Sequence, residues 1–223
     1  DTEKTYGPLV GVLKQKLGKI DSPGVIERMV CAQFQIPSKF SEETLNLANK
    51  AGRPALKGRV DLQPIPLVTI DDEDARDFDD AIWAAEDLDP NNTNGWHLIV
   101  AIADVAAYVK TGDALDVEAY QRGNSVYLPN MVVPMLPKSL SNGWCSLNPG
   151  EIRACIAVHI WIDKNGITLR YHFERAVMRS AARLTYTSVQ KAYEGHPDKV
   201  TTPLMGQIKH LYGAFESLKK ERL

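Results

Sequence analysis

Thr69-Ile70-Asp71-Asp72-Glu73-Asp74-Ala75-Arg76-Asp77-Phe78-Asp79-Asp80-Ala81 puts seven acidic residues into the ten positions from 71 to 80. Carboxylates held so close raise one another's pKa, because each negative charge disfavours the next. A divalent cation relieves that cost most readily. Ile65, Leu67, Val68 and Ile70 precede the run, and Ala81, Ile82, Trp83, Ala84 and Ala85 follow it. An acidic run between apolar stretches dips into a folded core, unlike a solvated tail, so a buried metal site is the leading expectation. A generic acidic surface on a protein of another function fits these flanks less well.

Working outward, Ala81–Ala85 reads as a buried strand, Asp89–Gly95 as a turn-rich polar excursion and Trp96–Ala103 as a second buried strand, which together suggest an antiparallel pair. Ala154–Ile162 and Ile167–Val177, joined by Asp163-Lys164-Asn165-Gly166, form the clearest hairpin. Helical patterns cover 25–35, 41–51 (starting at Ser41), 114–121, 187–193 and 204–222. Residues 6–20 read as short strands, 58–66 as an extended approach to the acidic run, and 125–128 as a short extended piece. Sheets and helices without a regular βαβ rhythm give an α+β fold with a mixed or antiparallel sheet and surrounding helices.

The chain has 223 residues, 44% of them hydrophobic, enough for one substantial core. No apolar run approaches the roughly 20 residues needed to cross a bilayer, and no signal peptide opens the sequence. Cys31, Cys145 and Cys155 are odd in number and widely spaced, which fits reduced thiols in a cytoplasmic protein. Net charge is −2, but residues 1–120 carry 12 Lys+Arg against 21 Asp+Glu and residues 121–223 carry 14 against 7. An acidic half and a basic half suit a metal-dependent enzyme acting on a polyanion, although scattered solvated charge would give the same totals. The helical pattern of 204–222 meets no stop signal, and we expect the chain to be a piece of a longer polypeptide.

Asp71, Asp77, Asp79 and Asp80 are the candidate ligands. If a strand begins near Asp77, Asp77 and Asp79 point to one side and Asp80 to the other, with Asp71 folding back onto the same spot. Oxygen-only ligands favour Mg²⁺ or Mn²⁺, and four carboxylates can serve two ions about 3.5–4 Å apart in phosphodiester cleavage. A helix-loop-helix calcium site fails on spacing. Started at Asp72, its sixth position is Asp77 where glycine is needed, and its twelfth is Trp83 where glutamate is needed. No serine sits in a nucleophile-elbow setting, and the five histidines (97, 159, 172, 196 and 210) have no ligand spacing. His159 and His172, on the hairpin strands, read as structural.

The acidic run closely resembles the signature of the ribonuclease II/ribonuclease R family, with wording nearer the ribonuclease R branch. Further matches follow in order: Ile102–Val105, Arg122–Pro129, Val133–Pro137, Leu140–Pro149 and Ala182–Tyr186. The resemblance is strong over about residues 55–195. It implies an RNB-type catalytic domain that hydrolyses single-stranded RNA from the 3′ end to nucleoside 5′-monophosphates with Mg²⁺. By motif position Asp71, Asp77, Asp79 and Asp80 are the catalytic, metal-holding residues, and Tyr127 stacks on the 3′-terminal nucleotide. Read without the family, Tyr127 would be a core or edge strand residue. Tyr186 matches a tyrosine near the RNA path, and Arg183 and Arg179 are candidate phosphate contacts or solvated surface residues.

The implied organisation is 1–20 as the tail of an OB-fold RNA-binding domain, 21–62 as a helical connector and 63–223 as the N-terminal part of the catalytic domain. The family's pattern would then continue past residue 223, where a completing arginine and a C-terminal RNA-binding barrel are expected. The excursion around Pro90–Gly95 is longer than the family leads one to expect and reads as a surface loop. Single-stranded RNA is the expected partner, with neither a membrane nor an obligate protein partner. The alternative is a non-catalytic RNA-binding module in which the acidic loop only holds structure.

Overall fold

The computed structural model describes residues 11–222. Two helices come first, α1 (Val25–Gln33) and α2 (Glu42–Asn49). Ser41 caps α2 as expected, its Oγ accepting the Thr44 N–H at 3.2 Å, which satisfies one of the free amides at a helix start. Strands β1 (Val60–Asp61), β2 (Val68–Asp71), β3 (Asp80–Glu86) and β4 (Trp96–Ala103) follow. A 3₁₀ turn at Val105–Ala107 leads to α3 (Ala114–Arg122), then to a ribbon of β5 (Val126–Leu128) and β6 (Met131–Val133). After a π-helical turn at Leu140–Trp144 come the long strands β7 (Ile152–Ile162) and β8 (Thr168–Arg179), then β9 (Ala182–Thr185), α4 (Tyr186–Tyr193) and α5 (Met205–Glu221).

Seven strands form one mixed sheet in the order β1-β8-β7-β4-β3-β2-β9. The expected antiparallel pair β3–β4 and the expected hairpin β7–β8 form its centre, joined by an antiparallel pairing of β4 with β7 that was not expected, with Trp83 opposite Ile99 and Ile99 opposite His159. The β7–β8 turn is set by Asp163, whose Oδ1 accepts the Asn165 N–H at 2.8 Å and the Ile167 N–H at 2.9 Å. Gly166 completes it at φ +90°, where a side chain would also collide with the α5 backbone at Ser217.

The two faces of the sheet build separate cores. On one, Leu67, Phe78, Ile99, Leu147 and Met178 are buried together. On the other, Val68, Leu184, Val189 and Ile208 pack beneath α4 and α5. Trp96 anchors α5 by donating from Nε1 to Ser217 Oγ at 3.1 Å. Among the described residues no helix is long and apolar enough to cross a membrane.

One expectation fails, and three features lie beyond what local patterns announced. Residues 11–20 carry no strand where strands were expected over 6–20, and residues 1–10, with most of the expected OB-fold tail, lie outside the described residues. β1 pairs parallel with β8, Val60 opposite Ala176, so the sheet begins before residue 63. β2 and β9 also pair parallel, from Val68–Ala182 to Asp71–Thr185, which no local pattern announced. The Pro90–Gly95 excursion is polar, but Asn92 is buried and donates to Asp87 Oδ2 at 2.9 Å and to the Ile162 carbonyl at 3.0 Å. Its amide is a tether between β3 and β7, which is why a polar residue turns inward.

Candidate active site

Asp71 is the last residue of β2 and Asp80 the first of β3, so the sheet itself delivers two carboxylates to one end of neighbouring strands. Asp77 and Asp79 sit on the connection between them, which has no regular structure. The expected strand at Asp77 therefore does not exist, and the backbone direction there is imposed by tethers. Phe78 inserts into the core while its N–H donates to Ser146 Oγ at 3.0 Å and its carbonyl accepts the Leu147 N–H at 2.8 Å. The Asp79 carbonyl accepts the Ala103 N–H at 2.8 Å. Burying one large apolar side chain contributes about 1.5–3 kcal/mol, and here it sets the aim of the two flanking aspartates.

Arg183 ties down the other half of the loop. Its Nη2 donates to the Asp72 and Glu73 carbonyls at 2.6 and 2.8 Å, and its guanidinium lies 5.6 Å from the centre of the Phe78 ring. Arg179 donates to the Gly150 carbonyl. Both candidate phosphate contacts are thus engaged with backbone oxygens, and neither lines the cleft described next.

A cleft of about 740 Å³ opens over the loop, lined by Asp71, Asp77, Asp79, Tyr127 and Tyr186 among others. Asp80 faces the adjoining apolar groove, which it lines with Ile70, Ile82 and Tyr186. Tyr127 stands on β5, 67% exposed and outside any core, and its hydroxyl donates to Asp77 Oδ2 at 3.2 Å. Burial and the neighbouring Asp77 charge push its phenol pKa up. Tyr186 begins α4 directly after Thr185, the residue paired with Asp71, and is likewise exposed.

The Asp71 carboxyl is raised above the usual carboxylate range, first by burial and then by the charge of Asp80. Asp79 is raised by partial desolvation of its carboxyl, then by Asp77, Asp80 and Asp71 in turn. The four charges therefore feel one another, as the sequence reading required. The expectation of a buried site needs correcting, since Asp79 and Asp80 are exposed and Asp71 and Asp77 half-buried. Among the described residues no three such side chains close into a metal site.

The donor set nevertheless fits a hard divalent cation. It is all oxygen, its charges are mutually destabilising, and Asp71 Oδ2 is buried with no hydrogen-bond partner. A buried lone pair left open costs about 1–3 kcal/mol, which a cation would recover. Asp71, Asp77, Asp79 and Asp80 are the residues that would hold it.

Sequence reasoning missed the opposite wall. Lys138, Ser141 and Asn142 enter the cleft from the Leu140–Trp144 turn and its approach, and Ser125 and Asn130 from the β5–β6 ribbon. All five lie within or beside the motifs that carry the resemblance, where order along the chain gave no clue to direction. Lys138 and Arg76 are the cations of the lining.

Comparison with known proteins places this site in context. The RNB domain family matches residues 59–223. Ribonuclease R of Vibrio parahaemolyticus is 43% identical over 220 residues, 96% of this chain and 26% of that protein. Ribonuclease R of Escherichia coli K12 is 40% identical over 221 residues, 98% of this chain and 27% of that protein. The structure of Mycoplasma genitalium RNase R in complex with ribose-methylated single-stranded RNA superimposes with a TM-score of 0.82 at 29% identity, covering 92% of this chain and 32% of that one. The chain thus spans about a quarter of the length of these curated relatives.

Proposed function

The chain belongs to the RNB domain family, and from that premise we propose that it is the acidic-site portion of a 3′→5′ exoribonuclease acting on single-stranded RNA. The observation that carries the reading is the convergence of Asp71, Asp77 and Asp79 with Tyr127 and Tyr186 on one cleft. When bound, Mg²⁺ or Mn²⁺ would supply an activated water and charge stabilisation for phosphodiester hydrolysis, in a two-ion arrangement. The chain's own groups do the rest. The four aspartates would hold the cations, and Arg76 and Lys138 would offset the charge of the incoming strand. Tyr127 lines the cleft, and its ring is the surface on which a terminal base would stack. The products are nucleoside 5′-monophosphates. Cys31, Cys145 and Cys155 are buried and free, which suits the reducing cytoplasm.

The test is degradation of a labelled single-stranded RNA by the parent protein. Mononucleotides should accumulate with Mg²⁺ or Mn²⁺ and cease in excess EDTA. Undiminished hydrolysis after chelation would remove the metal-dependent reading.

A second test addresses the tyrosine. Stacking a base on an aromatic ring is worth roughly 1–3 kcal/mol, so Tyr127→Ala should weaken the grip on the shortest RNA ends by about 5- to 150-fold. The limiting product should therefore lengthen. Tyr127→Phe keeps the ring and should give the parent's product ladder. An unchanged ladder in Tyr127→Ala would move the clamp to another residue.

A further inference from the structure

A second cavity, of about 560 Å³, lies between the Lys50–Arg59 segment and the turn from Asp104 to Lys110. Lys50, Arg53, Lys57 and Arg175 line it, and among the described residues none of the four has a carboxylate partner. With Lys110, which also lines the cavity and has no carboxylate partner among the described residues, five unneutralised cations surround one concavity and attract an anion. The interior asks for more than charge. Asp104 is 2% exposed, and its Oδ2 accepts from Arg59 Nη2 at 2.6 Å while its Oδ1 has no partner. The Tyr108 hydroxyl is also buried and unpartnered. A carboxylate oxygen needs an O–H or N–H donor, which a simple anion lacks and a ribose hydroxyl supplies. Leu47, Leu115 and Leu140 add an apolar wall.

This cavity and the acidic cleft share a partition. Leu140 faces the basic cavity, whereas Ser141 and Asn142, the next residues of the same turn, face the acidic cleft. We propose that the basic cavity is a second nucleotide site, binding the phosphate and ribose of one nucleotide unit. That unit is either part of an RNA strand or a released nucleoside 5′-monophosphate. The choice of nucleotide rests on the function proposed above; the phosphate chemistry does not.

The experiment is equilibrium dialysis of the parent protein and of its Arg53→Glu/Lys57→Glu variant in EDTA, with adenosine 5′-monophosphate, adenosine and oligoadenylate as probes. Both substituted residues are exposed, so folding should survive. Charge reversal sets like charges against the phosphate, and affinity for the monophosphate should fall about tenfold or more if the free nucleotide is the occupant. If the strand is the occupant, only oligoadenylate affinity should fall, with its log–log salt slope reduced by about 1.4 for two lost contacts. Tyr108→Phe should weaken the same probe by about 2- to 10-fold. Equal binding of adenosine and its monophosphate, or no change in any probe on charge reversal, would overturn the site. Loss of RNA hydrolysis by the parent with these binding changes intact would instead count against the function proposed above.

Discussion

Asp79→Asn should reduce RNA hydrolysis by the parent protein by at least about a hundredfold while leaving RNA bound. Asparagine is nearly the same size, and the Asp79 position is held through its backbone carbonyl and the neighbouring Phe78. The fold should therefore persist. What disappears is one negative charge in a site whose other members already repel it. Losing one preorganised electrostatic partner at a reacting centre typically costs about 10²–10³ in turnover. RNA affinity should stay level or rise, because the removed charge also repels phosphate. Gel-shift titration and single-turnover kinetics on the same preparation separate the two effects. If turnover were near normal, the carboxylate would be wrongly assigned. If the parent bound RNA without ever cleaving it, the non-catalytic module would be the better description.

Arg59→Met should destabilise the fold by about 3–5 kcal/mol, the cost of breaking a buried ion pair from one side. Arg59 and Asp104 pair at 2.6 Å with side chains 11% and 1% exposed. Arg59 also reaches the Cys155 and Ala176 carbonyls at 3.5 and 3.4 Å. Removing the guanidinium leaves the Asp104 carboxylate buried and uncompensated, which is where the cost arises. The double substitution Arg59→Met/Asp104→Leu removes both charges and should recover much of the loss, since apolar replacement of a buried pair is often near neutral. Calorimetry of the parent and both variants checks this. A double variant no more stable than the single one would show that packing, and not charge, dominates at this position.

Much of this architecture was legible from residue patterns. Apolar runs gave the β3–β4 pair, the Asp163–Gly166 turn gave the β7–β8 hairpin and Ser41 gave the start of α2, because those signals are local; the β4–β7 pairing that joins the two was not legible. The parallel partnerships of β1 with β8 and β2 with β9 were not legible, since nothing in Val60–Asp61 or Ala182–Thr185 names a distant partner. The acidic residues announced a site, but their exposure depended on Phe78 reaching Ser146 and Leu147, contacts set by tertiary folding. Arg183 illustrates the same limit. A basic residue in an RNA-binding motif reads as a phosphate contact, yet the structure engages it with the carbonyls of Asp72 and Glu73.

The pairing of β2 with β9 sets a timetable for synthesis. Asp71 ends a strand whose outer neighbour is not made until Thr185, and Arg183, which fastens the acidic loop, belongs to that same late strand. On the ribosome the β3–β4 and β7–β8 pairs can each form as soon as they emerge, since within each pair the strands are neighbours in sequence, while β4, ending at Ala103, waits for β7, beginning at Ile152. The acidic loop would then hang from an open sheet edge until β9 arrives. Nascent chains released before residue 185 should carry every aspartate of the cleft and still lack the strand that holds them in place.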